Sequence, residues 1–279
     1  MSGTNWSRVT RNGRWQRFVP KDEVIGLKIA VCIKRVPETG GRLELTDDRM
    51  AVDTSNMDFV INTHDESAVE AAIQIKEAAG EGEAHITILS LGPPETTEVI
   101  RQAIAMGADA GVLLECEEGD QDWDAHAIAN ALVNVLKDRE VDLYLLGREA
   151  GDDNHYQVGP IIAERLDLPL VTGVSHLEVA DGVAAVRRET EVGDEVYEIQ
   201  LPAVLTVNDT MTTPRHASLR GIMRAKRTEL EVFKPERGEP KLQLIGLKKP
   251  PEREGGEIIG EGPEAVPELV TRLKQDGVL

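Results

Sequence analysis

The sequence is short of cysteine, of aromatic residues, of basic charge and of long apolar runs, and each shortage excludes something. Its two cysteines, Cys32 inside an apolar run and Cys116 among acidic residues, are too few for a disulfide framework or a zinc cluster. A reducing compartment, the cytoplasm, is the expectation. No stretch approaches the roughly 18 apolar residues of a membrane span, and Met1 to Asp22 lacks the apolar centre of a signal segment. Thirty-one basic residues against 50 acidic ones give a net charge of −19, which repels nucleic-acid backbones and anionic lipid. Carboxylates in such excess also suit a salt-rich cytoplasm. Aromatics at 3% leave few rings to sandwich a redox cofactor.

Reactive motifs are missing too. No GxGxxG follows the first apolar run and no GxxxxGKS/T occurs anywhere, which disfavours a hydride-transferring dehydrogenase and a P-loop protein. The six histidines show no HExxH and no paired ligand spacing, so no metal site is expected. Ser90 and Ser175 have no G-x-S-x-G context, and nothing else marks a nucleophile or general base. Bond-making catalysis by this chain alone is not expected.

What is present is an alternation. In 279 residues, 41% of them hydrophobic, short apolar runs at Leu27–Ile33, His85–Leu91, Gly111–Glu115 and Val141–Gly147 read as parallel strands buried on both faces. Helical spacing over Ser67–Ala79, Thr97–Met106, about Asp124–Lys137 and Gln157–Arg165 supplies the covering helices. After Leu170 the period changes to two. His176–Val179, Val183–Arg187 and Val196–Gln200, separated by turns at Ala180-Asp-Gly182 and Gly193-Asp-Glu195, predict an antiparallel meander, and Ala203–Val207 a returning core strand. The fold class is therefore α/β, a Rossmann-like parallel sheet flanked by helices, with an antiparallel edge meander and an extended C-terminal arm. Residues 1–26 read as an extension outside the fold, 27–232 as a nucleotide-binding domain, and 233–279, ending in a helix near Ala265–Lys274, as an arm too poor in apolar residues for its own core.

Ligands of a parallel α/β sheet bind beyond the carboxyl ends of its strands, which directs attention to Lys34–Pro37, Gly92–Thr97 and the long loop Arg148–Tyr156. The last runs into Gln157-Val-Gly-Pro160, where a helix start with small residues suits a phosphate. Residue type alone favours the plainer reading, that Asp152, Asp153 and Asn154 cap that helix. Thr213–Arg227 concentrates basic residues in an acidic chain. By composition it is a solvated helix with Leu219, Ile222 and Met223 turned inward; the sharper reading is a docking surface, Leu219 anchoring a partner steered by Arg220, Arg224, Lys226 and Arg227.

Several of these segments resemble, in order and spacing, the beta subunits of electron-transfer flavoproteins, including the FixA type. They are Ala30-Val-Cys-Ile-Lys-Arg-Val-Pro37, Ile61-Asn-Thr-His-Asp-Glu66 ahead of a helix, Leu91-Gly-Pro93, Ala103-Ile-Ala-Met-Gly-Ala-Asp109 and Gln157-Val-Gly-Pro-Ile-Ile-Ala-Glu164. Thr213 to Lys226 is similar to the family signature P-R-Y/H-x-x-L-x-x-I-M-x-A-K. The resemblance covers Leu27 to Leu279. It implies a heterodimer with an alpha subunit whose FAD takes electrons from dehydrogenases and hands them to a quinone oxidoreductase or similar acceptor. In this chain it implies a bound AMP, or a second FAD in electron-bifurcating members. Carried over, the nucleotide site comprises Cys32, Asn62, Thr63, His64, Asp65, Leu91, Asp153, Asn154, His155, Tyr156, Gln157, Val158, Gly159 and Pro160. Leu219 matches the leucine that enters a pocket of the dehydrogenase, Arg224 and Arg227 stand where lysines are frequent, and the arm corresponds to a tail reaching over the alpha subunit.

The chain departs from the family in three places. Asn62-Thr-His-Asp-Glu66 replaces N-P-F-D/C-E. Glu149 stands where a neutral amide is usual, an acid expected to repel phosphate. The residues before Leu27 have no counterpart. Gln157-Val-Gly-Pro160 leans toward bifurcating members, in which FAD takes hydride from NADH; Glu149 and the scarcity of aromatics lean toward AMP. A stand-alone nucleotide-binding regulator, the reading from another class, would share the sheet but not Thr213–Lys226 or the arm.

Overall fold

The computed structural model describes residues 26–38, 40, 43–117, 123–251 and 255–279, together with the backbone of 7–9 and 15–17. In chain order the first elements are an antiparallel ribbon, β1 (Ser7–Val9) against β2 (Trp15–Arg17), forming a two-stranded sheet of its own. Then come β3 (Leu27–Cys32), β4 (Arg35–Pro37), β5 (Phe59–Ile61), α1 (Thr63–Ala79), β6 (Ala84–Gly92), α2 (Thr97–Met106), β7 (Ala110–Glu115), α3 (Ala125–Leu136), β8 (Leu143–Gly147) and α4 (Val158–Leu166). They are followed by β9 (Leu170–Ala180), β10 (Val183–Thr190), β11 (Gly193–Gln200), β12 (Ala203–Val207), α5 (Leu219–Arg227), β13 (Glu231–Phe233) and α6 (Val266–Gln275).

One nine-stranded sheet organises the chain, in the order β11-β10-β9-β12-β8-β3-β6-β7-β13. From β9 to β13 every pairing is parallel, and β9, β10 and β11 form the antiparallel meander at one edge. Both faces are buried, which is why the strands read as continuous apolar runs. Ile29 and Val31 of β3, Leu143 and Leu145 of β8 and Leu205 of β12 pack on the side of α1 and α2. Their alternates, Ala30, Cys32, Tyr144, Leu146 and Val204, pack on the side of α3 and α4. Strand periodicity of two therefore separates the core into two layers.

The main alternation, the meander and the returning strand β12, all five of whose residues are buried, match the sequence reading. Some boundaries differ. Helix α1 begins at Thr63, so Thr63 to Glu66 is its first turn and not a segment ahead of it. The stretch Gly193–Glu195, read as a turn, opens β11, and the turn lies at Glu191 and Val192. The short pair β4–β5, the ribbon β1–β2 and the edge strand β13 went unpredicted; each strand is three residues long, too short to show a period.

Helix α5 lies against α2, and two arginines staple them. Arg101 of α2 donates to Ala225 O and, at 3.1 Å, to Thr228 O. Arg224 of α5 returns the contact, donating to Ile104 O at 2.7 Å and Ala108 O at 2.9 Å. Each guanidinium thus satisfies carbonyls left over where the other helix ends. The helices approach so closely at Gly221 that a Cβ there would lie 2.0 Å from Ala105 O, which only glycine avoids. Beyond β13 the chain runs as an arm over the α3 side, tied down by backbone bonds to Asp124 and, through Leu247 N, to Arg49 O at 2.7 Å. No residue of α6 is buried.

Candidate nucleotide site and docking helix

At the carboxyl ends of β3, β6 and β8 a cavity of about 390 Å³ opens between the α3 and α4 starts. Strand twist and the βα crossovers leave this edge uncovered, and three of the loops singled out from the sequence converge on it. Cys32, Asp65, Leu91, Asp153, His155, Tyr156, Gln157, Val158 and Gly159 line it. Lys34, Arg148, Glu149 and, on the α3 side, Trp123, Ala125, Ile128 and Leu132 are also part of the wall. Asn62, Thr63, His64, Asn154 and Pro160, carried over on resemblance, are not among the lining residues.

Asn62 and His64 stand behind the wall and hold it. The Asn62 amide donates to Glu149 O at 2.7 Å and accepts from Gly151 N at 3.1 Å, fixing the long loop. His64 is buried, with Nε2 3.3 Å from the Glu149 carboxylate. Thr63 and Asn154 face solvent. Asp65 forms the floor: one carboxylate oxygen accepts from Lys34 N at 2.8 Å and the other from Gly147 N at 2.7 Å, so a single side chain ties the ends of β3 and β8 together. Gly147 is required there, since a Cβ would sit 2.5 Å from that carboxylate.

The capping role expected of Asp152, Asp153 and Asn154 is not what the structure shows. The first turn of α4 is preceded by Gln157 and receives no side-chain cap. Asp152 and Asp153 instead both accept from Lys34 Nζ, each at 2.7 Å, bolting the loop after β8 to the loop after β3. Local sequence favours a cap; only the tertiary fold brings a lysine from 118 residues away. The start of α4 thereby lies at the cavity without a side-chain cap, Val158 and Gly159 among the lining residues, where the positive end of the helix dipole suits an anion.

Repulsion from Glu149 is also offset. Burial pulls its pKa upward, but the Tyr156 hydroxyl, Arg148 and His64 outweigh that and hold it down. The carboxylate is spent inside the wall, 2.9 Å from Arg148 Nη2. Arg148 in turn lies 5.3 Å from the Tyr156 ring centre, and Tyr156 adopts a left-handed φ of 58°. Two buried donors, Trp123 Nε1 and Arg148 Nε, have no hydrogen-bond partner among the described residues. Burial, with Asp65 adding to it, pushes the Cys32 thiol up to about 12, so it packs and does not react. The sequence had no local signal for Trp123; for Lys34 and Arg148 the strand-end rule was the signal.

Asp65 makes stability depend on pH. Burial raises its pKa to about 7 against the bonds from Lys34, Gly147 and Asn62 that lower it. The folded value lies above the unfolded one, near 4, so folding takes up a proton between them and this contribution weakens as pH rises through 7. Urea unfolding should show the wild type losing about 1 kcal/mol between pH 6 and 8 relative to Asp65→Asn. Parallel pH profiles for the two proteins would contradict the assignment.

The basic segment expected to dock a partner forms helix α5, and its apolar side faces out. Leu219 is 83% exposed and Met223 52%, and with Arg220, Arg224 and Arg227 they line an open groove of about 540 Å³. The inward-facing reading of Leu219, Ile222 and Met223 is therefore corrected: glycine-close packing on α2 leaves only Ala225 buried. Arg224, expected to steer a partner, is committed to α2 carbonyls. Among the described residues no helix is long and apolar enough to cross a membrane.

Residues 49–237 match the family model described as "Electron transfer flavoprotein domain". The chain is 35% identical to the electron transfer flavoprotein subunit beta of Syntrophomonas wolfei, over 86% of this chain and 92% of that one. It is 34% identical to the human electron transfer flavoprotein subunit beta over 90% and 98%. It is also 33% identical to the acryloyl-CoA reductase electron transfer subunit gamma of Anaerotignum propionicum, over 91% and 100%.

Proposed function

Given that the chain belongs to the electron transfer flavoprotein family, among its beta subunits, we propose that its 390 Å³ cavity holds AMP and that its α5 groove docks the electron-donating dehydrogenase. It serves electron transfer as one half of a complex with an alpha subunit, in the cytoplasm, and the electrons leave to a quinone oxidoreductase or a similar acceptor. The redox chemistry belongs to the FAD that the alpha subunit holds or shares. Residues 27–232 form the nucleotide-binding body, and 233–279 the arm that lies on the alpha subunit.

One observation carries the nucleotide reading: the start of α4, which receives no side-chain cap among the described residues, opens at a cavity that Val158 and Gly159 line. Phosphate suits the Val158 and Gly159 N–H groups; an adenosine suits the apolar side formed by Leu91, Trp123, Ile128 and Leu132. The Asn62 and His64 contacts act at one remove, by holding the Arg148–Gly151 stretch in place. AMP is favoured over a second FAD because the volume lies at the low end of the roughly 300–1,000 Å³ range of ligand sites. The Lys34 bolt to Asp152 and Asp153 further closes one side.

Co-expression with the alpha subunit, followed by denaturation and quantification of released nucleotides, tests this. One FAD and one AMP per heterodimer is the expected result. Two FAD and no AMP would replace it with a bifurcating carrier that takes hydride from NADH, a reading the resemblance to a reductase-associated subunit keeps in view.

A further inference from the structure

One carboxylate beside the cavity wall also fastens the C-terminal arm. Asp124 precedes α3 and is 8% exposed. Its Oδ1 accepts from Ala127 N at 2.8 Å and caps the helix. Its Oδ2 accepts from two successive arm amides, Lys241 N at 2.6 Å and Leu242 N at 2.8 Å. Burial acts to raise the pKa of this group, but the three N–H donors outweigh it and keep the carboxylate charged.

The residues on either side of Asp124, Trp123 and Ala125, line the cavity, and Ile128 and Leu132 continue that wall along α3. Trp123 Nε1 is one of the buried polar atoms with no partner among the described residues. The next fastening of the arm, Leu247 N to Arg49 O, lies five residues beyond Leu242. Leu242 at the first fastening and Leu244 and Ile245 between the two are exposed, so whatever seats this stretch also sets how its apolar side chains are presented.

We propose that Asp124 is a positioning residue that couples occupancy of the cavity to seating of the arm. A nucleotide packed on Trp123 and Ala125 fixes the start of α3, which holds Oδ2 where the Lys241 and Leu242 amides need it. By reciprocity a seated arm tightens the site. The inference rests on the reading that the cavity binds AMP.

Asp124→Ser separates this role from capping. Serine caps a helix about as well as aspartate, but has no second oxygen to reach the arm. In the alpha–beta complex, hydrogen exchange at Lys241 and Leu242 is measured with and without saturating AMP, alongside the AMP dissociation constant. In the wild type AMP should slow that exchange on the order of tenfold, a usual size for coupling between sites. In Asp124→Ser exchange should be fast with or without AMP, AMP should bind more weakly by a similar factor, and protection at Ala127 should persist. AMP that binds the wild type without changing the arm, or that slows the arm equally in the variant, overturns the coupling and leaves the nucleotide reading standing. A wild-type complex that binds no AMP overturns both.

Discussion

Arg215→Ala is expected to lower the melting temperature by roughly 6 °C at pH 7. Glu70 sits in the middle of α1 and is 3% exposed, a burial that is costly for a carboxylate left without partners. Arg215 partners it, donating to both Glu70 oxygens at 2.9 Å and to Glu77 as well. Without the guanidinium, Glu70 keeps only the Gln74 amide at 2.9 Å and the backbone N–H of residue 215 at 3.2 Å. Stranding a buried charge costs about 3–5 kcal/mol; because the arginine is itself a third exposed, about 2–3 is the fitting figure here.

The sign of the pH dependence gives a second readout. Burial acts to raise the Glu70 pKa, and the bonds from Arg215 and Gln74 reverse it to a net lowering; Glu77 is lowered chiefly by its bond to Arg215. A lowered carboxylate stabilises above its unfolded pKa, near 4.5, and that stability is lost as pH falls through the folded value. In Arg215→Ala burial acts on Glu70 against only the Gln74 amide and the backbone N–H of residue 215, so protonation relieves it and the gap from wild type should narrow between pH 7 and pH 4.5. Melting curves at the two values decide the matter; a variant within 1 °C of wild type at pH 7 would mean that the buried pair contributes nothing.

Leu219→Glu should behave in the opposite way, with full stability and failed function. The side chain is exposed, so the melting temperature stays where it was. A truncated central anchor at an interface costs upward of about 2 kcal/mol, and a carboxylate in its place also repels the acidic partner that the basic α5 suits. Electron transfer from the cognate dehydrogenase should lose at least about 30-fold in kcat/KM. Two neighbours sharpen the comparison. Arg227→Gln should weaken docking in a manner erased by salt. Arg224→Gln should lower stability, because that guanidinium holds Ile104 O and Ala108 O. Wild-type rates from Leu219→Glu would remove the docking assignment.

How much of this the sequence revealed depends on whether the determining contact was local. Helix α2 could be read with its true limits, because Val99, Ile100, Ala103 and Ile104 are buried on one face and Gly107 ends it. The start of α1 could not. Thr63-His-Asp-Glu66 is polar and shows no helical stripe, yet Asp65 and His64 are buried by partners that come from β3 and from the loop after β8. The same holds for the site. Gln157–Gly159 was visible as a helix start suited to an anion; that Asp152 and Asp153 answer to Lys34, and that Glu149 is matched by His64 and Arg148, depended on residues distant in sequence. Composition alone turns Leu219 inward and only the docking reading turns it out; its outward face follows from the fit of Gly221 against Ala105.

The insertion of β12 between β8 and β9 has a bearing on biosynthesis. β8 pairs with β3 on one side, but its other neighbour is Ala203–Val207, about 60 residues further along the chain. At a translation rate of about 5–20 residues per second, a nascent chain carries an open, fully apolar edge for roughly 3–12 s, and β9 waits with it, since its place in the sheet is against β12. The ribosome must therefore deliver the whole meander before the sheet can close.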